Sequence, residues 1–214
     1  MRFSRTVLIV SAVALGLCFA LPASAQYVGV MQSAETMDRG TFKLMLAPIM
    51  VFGKDGADDE FGGAVRGGYG FTDRFDAEAK LGFFENGTLA GVDGELWILR
   101  GEEKDAGLDF SLTGGVHWMF AKDEYFDTMG FEITPQLSGH VTPNLELCGA
   151  LDASFETIKD APPGLDDSFT RLHLVPGIEY RLSDMIDLLA EVGIALNDDS
   201  STYASVGIAF YRRQ

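Results

Sequence analysis

Residues 108–120 decide the fold, because apolar and polar side chains alternate there without a break. The stretch reads Leu108-Asp109-Phe110-Ser111-Leu112-Thr113-Gly114-Gly115-Val116-His117-Trp118-Met119-Phe120. Apolar side chains and Gly114 hold the even positions, and mostly polar ones hold the odd positions. Successive side chains of a β-strand point to opposite faces, so this period of two predicts a strand with one apolar face.

The same alternation recurs along the chain and predicts ten strands in all. The other segments are 41–52, 61–71, 75–84, 90–99, 129–141, 145–156, 170–182, 186–196 and 203–211. Strands of about ten residues are long enough to cross a bilayer when they are tilted. Three tight turns of similar composition, at 72–74, 142–144 and 183–185, are each followed by an apolar residue and then an acid. They form a weak hairpin repeat.

Longer polar connections alternate with these tight turns. They are predicted at 53–60, 85–89, 121–127, 157–168 and 197–202, and only 100–106 is long on the side of the tight turns. Short turns at one end and longer loops at the other are typical of outer-membrane barrels, with both chain ends in the periplasm. The sequence therefore predicts an all-β fold: a transmembrane antiparallel up-and-down β-barrel of about ten strands, with eight or twelve as alternatives.

The first 25 residues have the pattern of an export signal. Arg2 and Arg5 precede an apolar run from Val7 to Leu21, and Ala23-Ser24-Ala25 matches a small-x-small cleavage site. An uncleaved anchor is the alternative, although the run is shorter than the ~20 residues of a spanning helix. The predicted divisions are a signal peptide (1–25), a periplasmic lead-in (26–40), the barrel (41–211) and a C-terminal tail (212–214).

The chain is strongly acidic, with 16 Lys and Arg residues against 32 Asp and Glu residues and a formal net charge of −16. This balance argues against nucleic-acid binding, which needs a basic surface. Two cysteines are too few for a disulfide scaffold or a cysteine-rich zinc site. Cys18 lies in the signal, and we interpret Cys148 as a small inward-facing structural residue.

Charged residues of the strands lie on the polar face. The acids are Asp76, Glu78, Asp93, Glu95, Asp109, Glu132, Glu146, Asp152, Glu156, Glu179, Asp187 and Glu191, and the bases are Lys43, Arg66, Lys80, Arg171 and Arg181. A charge facing lipid at the bilayer midplane costs about 2–4 kcal/mol, so we expect these side chains to line the lumen. They should form an ion-pair network with excess negative charge, and a thin wet path is expected beside Gly62, Gly68, Gly70 and Gly115.

Aromatic residues gather near the strand ends and predict two girdles. Trp118, Phe120, Phe131, Phe155 and Phe169 would lie at the loop end, and Phe42, Phe71, Phe75, Tyr180 and Phe210 at the turn end. Aromatic rings settle at membrane interfaces. Together with the export signal and the long, even strands, they favour a membrane barrel over the alternative, a soluble lipocalin-like barrel with its two faces reversed.

The chain resembles small bacterial outer-membrane β-barrels of the broad OmpA/OmpX/OmpW-like superfamily. The resemblance rests on Ala23-Ser24-Ala25, the ten alternating segments and the lead-in 34–40. It also rests on the last strand, 203–210, which is similar to the C-terminal signal read by the barrel-assembly machinery, although 211–214 extend beyond it. It implies an outer-membrane location and contact with membrane lipid and lipopolysaccharide. We expect a monomer, and no motif of a single family is present from which site residues could be transferred.

Acids also cluster in the longer loops, as Asp55, Asp58, Asp59 and Glu60, as Asp123, Glu124 and Asp127, as Asp166 and Asp167, and as Asp198 and Asp199. Hard cations prefer several carboxylate oxygens, so weak Ca²⁺ or Mg²⁺ binding is one interpretation of these clusters. A solvated acidic rim is the other. The sequence otherwise predicts no cofactor and no specific metal site.

The sequence favours a structural or surface-interaction role. A ten-stranded barrel should be mostly filled by side chains, and the alternative is a narrow cation-preferring pore for small solutes. A barrel-embedded hydrolase that uses His117 or His173 is a further alternative. Because neither G-x-S-x-G nor H-E-x-x-H occurs, we predict that the protein is not an enzyme.

Overall fold

Ten antiparallel strands close into a barrel in the computed structural model, which describes residues 28–54, 56–101, 107–122, 126–161 and 166–213. The strands are β1 (Phe42–Val51), β2 (Glu60–Thr72), β3 (Phe75–Phe84), β4 (Gly87–Leu99), β5 (Asp109–Ala121), β6 (Thr128–Thr142), β7 (Leu145–Ile158), β8 (Ser168–Ser183), β9 (Ile186–Ala195) and β10 (Tyr203–Arg212). Each strand pairs with its sequence neighbours, and β1 pairs with β10, so that no strand edge stays open. The predicted up-and-down barrel of ten strands is confirmed.

Some sequence predictions lie outside the described residues. They concern the signal peptide with Cys18, residues 26 and 27 of the lead-in, the loop acids Asp55, Asp123 and Glu124, and Gln214 of the tail. In the part of the chain that the structure describes, no helix has both the length and the apolar character needed to cross a bilayer.

The two faces of the wall have opposite chemistry. Outward side chains in the middle of the strands are apolar and exposed, as at Val92 (53%), Ile133 (45%) and Val206 (58%). The charged side chains of the strands point inward, and Arg66 is only 2% exposed. A water-soluble barrel would expose the charged face and bury the apolar one. The observed arrangement is that of a barrel that spans a lipid bilayer.

The connections divide the barrel into two ends. We call the end with the connections 73–74, 143–144 and 184–185 the turn end, and the opposite end the loop end. The long connection between β4 and β5 lies at the turn end, as predicted. The predicted longer loop at 85–89 is wrong, because Phe84 already pairs with Gly87 and only two residues join β3 to β4. A Cβ at Gly87 would collide with the backbone of Phe120, and its absence lets the pairing continue to the strand end.

The three tight turns share a hydrogen bond that explains their repeated composition. The side-chain hydroxyl of the first turn residue accepts a hydrogen bond from the backbone N–H two residues later. Thr72 accepts from Arg74 N (3.2 Å), Thr142 from Asn144 N (3.3 Å) and Ser183 from Met185 N (3.3 Å). Each hairpin also has a register shift just before its turn. Serine and threonine stabilise turns in this way, so the repeat sets the chain reversal and places the acid that follows it inside the lumen.

Apolar side chains fill part of the lumen near the loop ends of the strands. They come from several strands and belong to one buried cluster, which includes Ile49, Val51, Phe84, Leu89, Met119 and Tyr203. Tyr203 is fully buried, and its ring occupies the place that a side chain at its cross-strand partner Gly193 would need. The lumen is therefore packed at this level.

Candidate functional site

The predicted lumen charges all lie on the inward face of the wall. Most are buried. The two exceptions lie near the turn end, where Glu179 is half-buried and Arg181 is exposed. The buried ones are Lys43, Arg66, Asp76, Glu78, Lys80, Asp93, Glu95, Asp109, Glu132, Glu146, Asp152, Glu156, Arg171, Asp187 and Glu191. Buried charges need partners, so their pairing defines what the lumen can do.

Six of these side chains form an alternating chain of ion pairs across strands β1 to β6. Glu78 accepts from Lys43 Nζ at 2.5 Å and from Arg66 Nε at 2.8 Å. Asp93 accepts from Arg66 Nη2 at 3.0 Å and from Lys80 Nζ at 2.9 Å. Lys80 also pairs with Glu132. Because Glu78 and Asp93 each join two bases, the three bases and three acids form one continuous chain.

The chain continues through an imidazole to β8. His117 Nδ1 lies 3.4 Å from Glu132 Oε2, and His117 Nε2 lies 2.8 Å from Glu156 Oε1. Glu156 Oε1 also lies 3.8 Å from Arg171 Nη1 and accepts the Ser154 hydroxyl at 2.7 Å. The network therefore runs around most of the wall. It contains four of the five predicted inward bases, so these bases are paired with buried acids.

We call the segment 28–40 the inner segment; residues 28–37 lie inside the barrel, and residues 38–40 are more exposed at the turn end. The prediction of a periplasmic lead-in is therefore wrong for residues 28–37. Its backbone donates from Ala34 N to Ser138 Oγ at 3.1 Å and from Met37 N to Asp76 Oδ2 at 2.8 Å. Most of its side chains are buried, and Ala34 is 0% exposed. A non-regular segment needs hydrogen-bond partners for its peptide groups, and the polar lumen supplies them.

Two consecutive amides of the inner segment bind one carboxylate of β9. Val30 N donates to Glu191 Oε1 at 3.0 Å, and Met31 N donates to Glu191 Oε2 at 2.7 Å. The backbone at Gly29 (φ +79°) and Met31 (φ +48°) is left-handed, a conformation that turns neighbouring N–H groups toward a single anion. The Tyr203 hydroxyl donates to the same Glu191 carboxylate at 2.9 Å. Glu191 therefore joins the inner segment to the wall.

Among the described residues, protein groups fill the space beside the inward glycines, where the sequence predicted a thin wet path. A side chain at Gly68 would collide with Met37, and one at Gly70 with the backbone of Asp38, so the inner segment fills the space there. Gly62 faces the Phe84 ring, and Gly115 faces the Asp93 carboxylate. These glycines make room for other groups of the protein.

Acids that lie outside the ion-pair chain gather near the turn end. They surround a polar cleft of about 130 Å³ that Glu35, Asp76, Glu95, Glu179 and Asp187 line, together with Lys43 and Arg181. Burial raises the pKa of Glu35 to about 7, and the nearby Glu146 carboxylate adds to the rise. The excess negative charge that the sequence predicted for the lumen is therefore concentrated at its turn-end mouth.

The geometry gives no support to the hydrolase alternative. His117 and His173 are 4% and 1% exposed, and His173 Nε2 lies 3.1 Å from the carbonyl oxygen of Ser201. A substrate would reach neither imidazole without displacing the side chains that cover it. Cys148 faces inward, opposite Ser138 and Gly177, as predicted for a small wall residue.

The loop acids contact neighbouring groups and do not converge. Asp59 accepts Gly53 N and Asp127 accepts Ala121 N, both at 2.9 Å, and Asp198 pairs with Lys54 at 3.2 Å. Among the described loop residues, no three carboxylates come close enough to share an ion. The described loop acids therefore lie apart from one another at the loop end.

Aromatic side chains of the predicted girdles point outward, with one exception. Phe131 stacks on Phe155 at 4.7 Å between ring centroids, and Tyr69, which the sequence analysis missed, bridges Phe42 (4.7 Å) and Phe71 (5.0 Å). The prediction for Phe169 is wrong. It shares its strand face with Arg171, whose Cζ lies 5.1 Å from the ring centroid, and it pairs with the inward Glu156.

Comparison with known proteins gives a likeness of fold alone. No family model matches the chain, and no curated protein matches it. The KdgM porin is 10% identical with a TM-score of 0.44, and the match covers 78% of this chain and 98% of that one. The N-terminal β-barrel domain of OprF from Pseudomonas aeruginosa is 12% identical with a TM-score of 0.37, covering 82% of this chain and 100% of that one. Ail, the attachment invasion locus protein of Yersinia pestis, is 15% identical with a TM-score of 0.34, covering 81% and 99%.

Proposed function

We propose that this chain is a structural barrel of the bacterial outer membrane, sealed by its own inner segment. Its role is to present surfaces at the two membrane interfaces. The observation that carries this proposal is the position of Arg66, which pairs with Glu78 and Asp93 and also donates to the carbonyl oxygens of Gly29 and Val30. One buried guanidinium thus joins the ion-pair chain to the inner segment inside the lumen.

Three further features support a sealed lumen. The apolar cluster that includes Met119 packs across part of the lumen near the loop ends, and apolar side chains cannot replace the water shell of an ion. The ion-pair chain from Lys43 to Arg171 fixes charges that a permeating ion would have to separate. Ten strands also enclose much less space than the 16 or more of water-filled porins.

The outward surface supports the membrane location. Its apolar side chains match a hydrocarbon environment, and its aromatic rows lie near the strand ends, where headgroups would contact them. Closed pairing of β1 with β10 lets the barrel stand alone as a monomer. Membrane lipid, lipopolysaccharide and the barrel-assembly machinery are the partners that this location implies. The exposed loop acids, such as Asp58 and Asp166, would face any extracellular partner.

A narrow cation-preferring pore is the second candidate, because the turn-end cleft is lined mainly by acids. It requires the inner segment to leave the lumen, since that segment occupies the space beside Gly68 and Gly70. The two candidates therefore predict different behaviour for the intact chain and for a chain without the segment.

Conductance across a planar bilayer separates them. We expect the folded protein to give no steady single-channel steps, and a variant that lacks residues 28–37 to give cation-selective steps. A gel-mobility shift on heating should first show that both proteins are folded. Steady conductance by the intact protein would contradict the sealed barrel and favour the pore.

A further inference from the structure

A cluster of three metal-ligating side chains lies at the turn-end mouth and takes no part in the ion-pair chain. Glu35 comes from the inner segment, His140 from the end of β6 and Glu146 from the start of β7. One ligand atom of each lies within 4.8 Å of the other two. His140 Nδ1 is 3.5 Å from Glu35 Oε1, and His140 lies directly opposite Glu146 in the strand register.

The local structure holds this cluster together. His140 and Glu146 flank the tight turn at 143–144, whose Thr142 hydroxyl accepts Asn144 N. On the other side, Ala34 N donates to Ser138 Oγ, two residues before His140 on the same strand face. The position of Glu35 therefore depends on a neighbouring hydrogen bond, and the three side chains meet because two separate parts of the chain are fixed there.

Glu146 carries a buried oxygen atom that is suited to binding a cation at the mouth. Its side chain is 4% exposed, and its Oε1 has no hydrogen-bond partner among the described residues. A buried carboxylate oxygen without a donor is costly. Its neighbours increase the cost, because Glu179 is its cross-strand partner on β8 and Glu35 is also acidic. A positive ion at this point would satisfy the free oxygen and offset the repulsion.

We propose that Glu35, His140 and Glu146 bind one divalent transition-metal ion, with Zn²⁺ as the representative, and so tie the inner segment to the β6–β7 hairpin. In a tetrahedral zinc site with bonds of about 2.0–2.2 Å, neighbouring ligand atoms are about 3.4 Å apart, close to the observed His140–Glu35 distance of 3.5 Å. The imidazole favours Zn²⁺ over Ca²⁺ or Mg²⁺, which prefer oxygen ligands alone.

The ion can reach this position from water. The side chains of His140 and Glu35 are 38% and 31% exposed, so they can rotate toward an ion bound to the more deeply buried Glu146. Solvent can supply the fourth ligand at this open mouth. The site does not depend on whether the lumen conducts, because its ligands lie at the mouth and its test measures metal binding directly.

The test is Zn²⁺ binding to the folded, chelator-treated protein in detergent, by equilibrium dialysis with metal analysis. We expect one Zn²⁺ per chain, with affinity at least about tenfold lower in each of E35Q, H140A and E146Q. D38N is the matched control, because Asp38 lies at the same mouth, is exposed and pairs with Arg213 at 3.3 Å, outside the cluster. Its affinity should not change. Ca²⁺ should bind at least about tenfold more weakly than Zn²⁺.

A second measurement keeps the proposal testable if a wall variant folds poorly. E35Q changes only the inner segment, so the barrel wall remains intact. In the unaltered chain, Zn²⁺ should slow hydrogen exchange at the Ala34 amide, and E35Q should remove this effect. No stoichiometric Zn²⁺, equal affinity for Ca²⁺, or undiminished Zn²⁺ binding by E35Q would overturn the proposed site.

Discussion

Arg66 Nη1 donates a hydrogen bond to the carbonyl oxygen of Gly29 at 3.0 Å, so a side chain of β2 reaches the inner segment in the middle of the lumen. The same guanidinium contacts Glu78 at 2.8 Å and Asp93 at 3.0 Å. One side chain therefore compensates two buried acids and satisfies backbone carbonyls of a segment that has no strand partner. Removing it should affect both the wall and the inner segment.

We predict that Arg66→Met destabilises the folded barrel by about 3–5 kcal/mol, because Glu78 and Asp93 each lose a buried partner. Urea unfolding in lipid vesicles, followed by tryptophan fluorescence, measures this change. Lys159→Met is the matched control, because Lys159 is exposed in the loop between β7 and β8, and it should change the stability by no more than about 0.5 kcal/mol. Equal stability of the two variants would show that the ion-pair chain contributes little.

Glu191→Ala should loosen the inner segment while the strands stay paired. The carboxylate accepts the amides of Val30 and Met31, and hydrogen bonds to a charged acceptor contribute about 1.5–3 kcal/mol each. Hydrogen exchange at these two amides should accelerate at least about tenfold, which corresponds to about 1.4 kcal/mol. The exposed Glu85, in the β3–β4 turn, provides the control Glu85→Ala, which should leave both amides unchanged. Unaltered exchange in Glu191→Ala would mean that other contacts hold the segment.

A cationic side chain on the outer surface should destabilise the barrel most when it lies in the middle of a strand. Val116 lies near the middle of β5, is 39% exposed and is opposite Val92 and Phe131. We expect Val116→Arg to destabilise the barrel in lipid by about 2–4 kcal/mol. Leu182→Arg, at the turn end of β8, should cost about 0–1 kcal/mol, because the arginine there reaches the interface. Similar small costs at both positions would indicate that water surrounds the wall.

The strands and tight turns could be predicted from the sequence because their signals are local. The alternation in 108–120 and its copies depends only on which face each residue occupies. The turn repeat depends on a hydrogen bond between residues two apart in the sequence, as from Asn144 N to the Thr142 hydroxyl. The same reasoning predicted which charges face inward, because residues of one parity in each strand face the lumen.

The inner segment could not be predicted in this way. Its location depends on contacts between distant parts of the chain, such as that between Val30 and Glu191, which are 161 residues apart. It has no periodic pattern that assigns it to a wall or a lumen. The prediction for Phe169 was wrong for a related reason. Its aromatic side chain suggested a membrane interface, but Phe169 lies two residues before Arg171 and therefore shares the inward face of the strand. The Glu35–His140–Glu146 cluster needs both the strand register and the position of the inner segment, so no local motif reveals it.

Fractionation of cells that express the full chain tests the central claim most directly, because the claim is that apolar side chains face lipid and charged ones face a closed lumen. We expect the protein to remain with the outer membrane after an alkaline carbonate wash. After extraction in detergent, its gel mobility should change when the sample is boiled, since a closed barrel resists unfolding at room temperature. A protein that stays dissolved without detergent and keeps its β-structure would contradict the account.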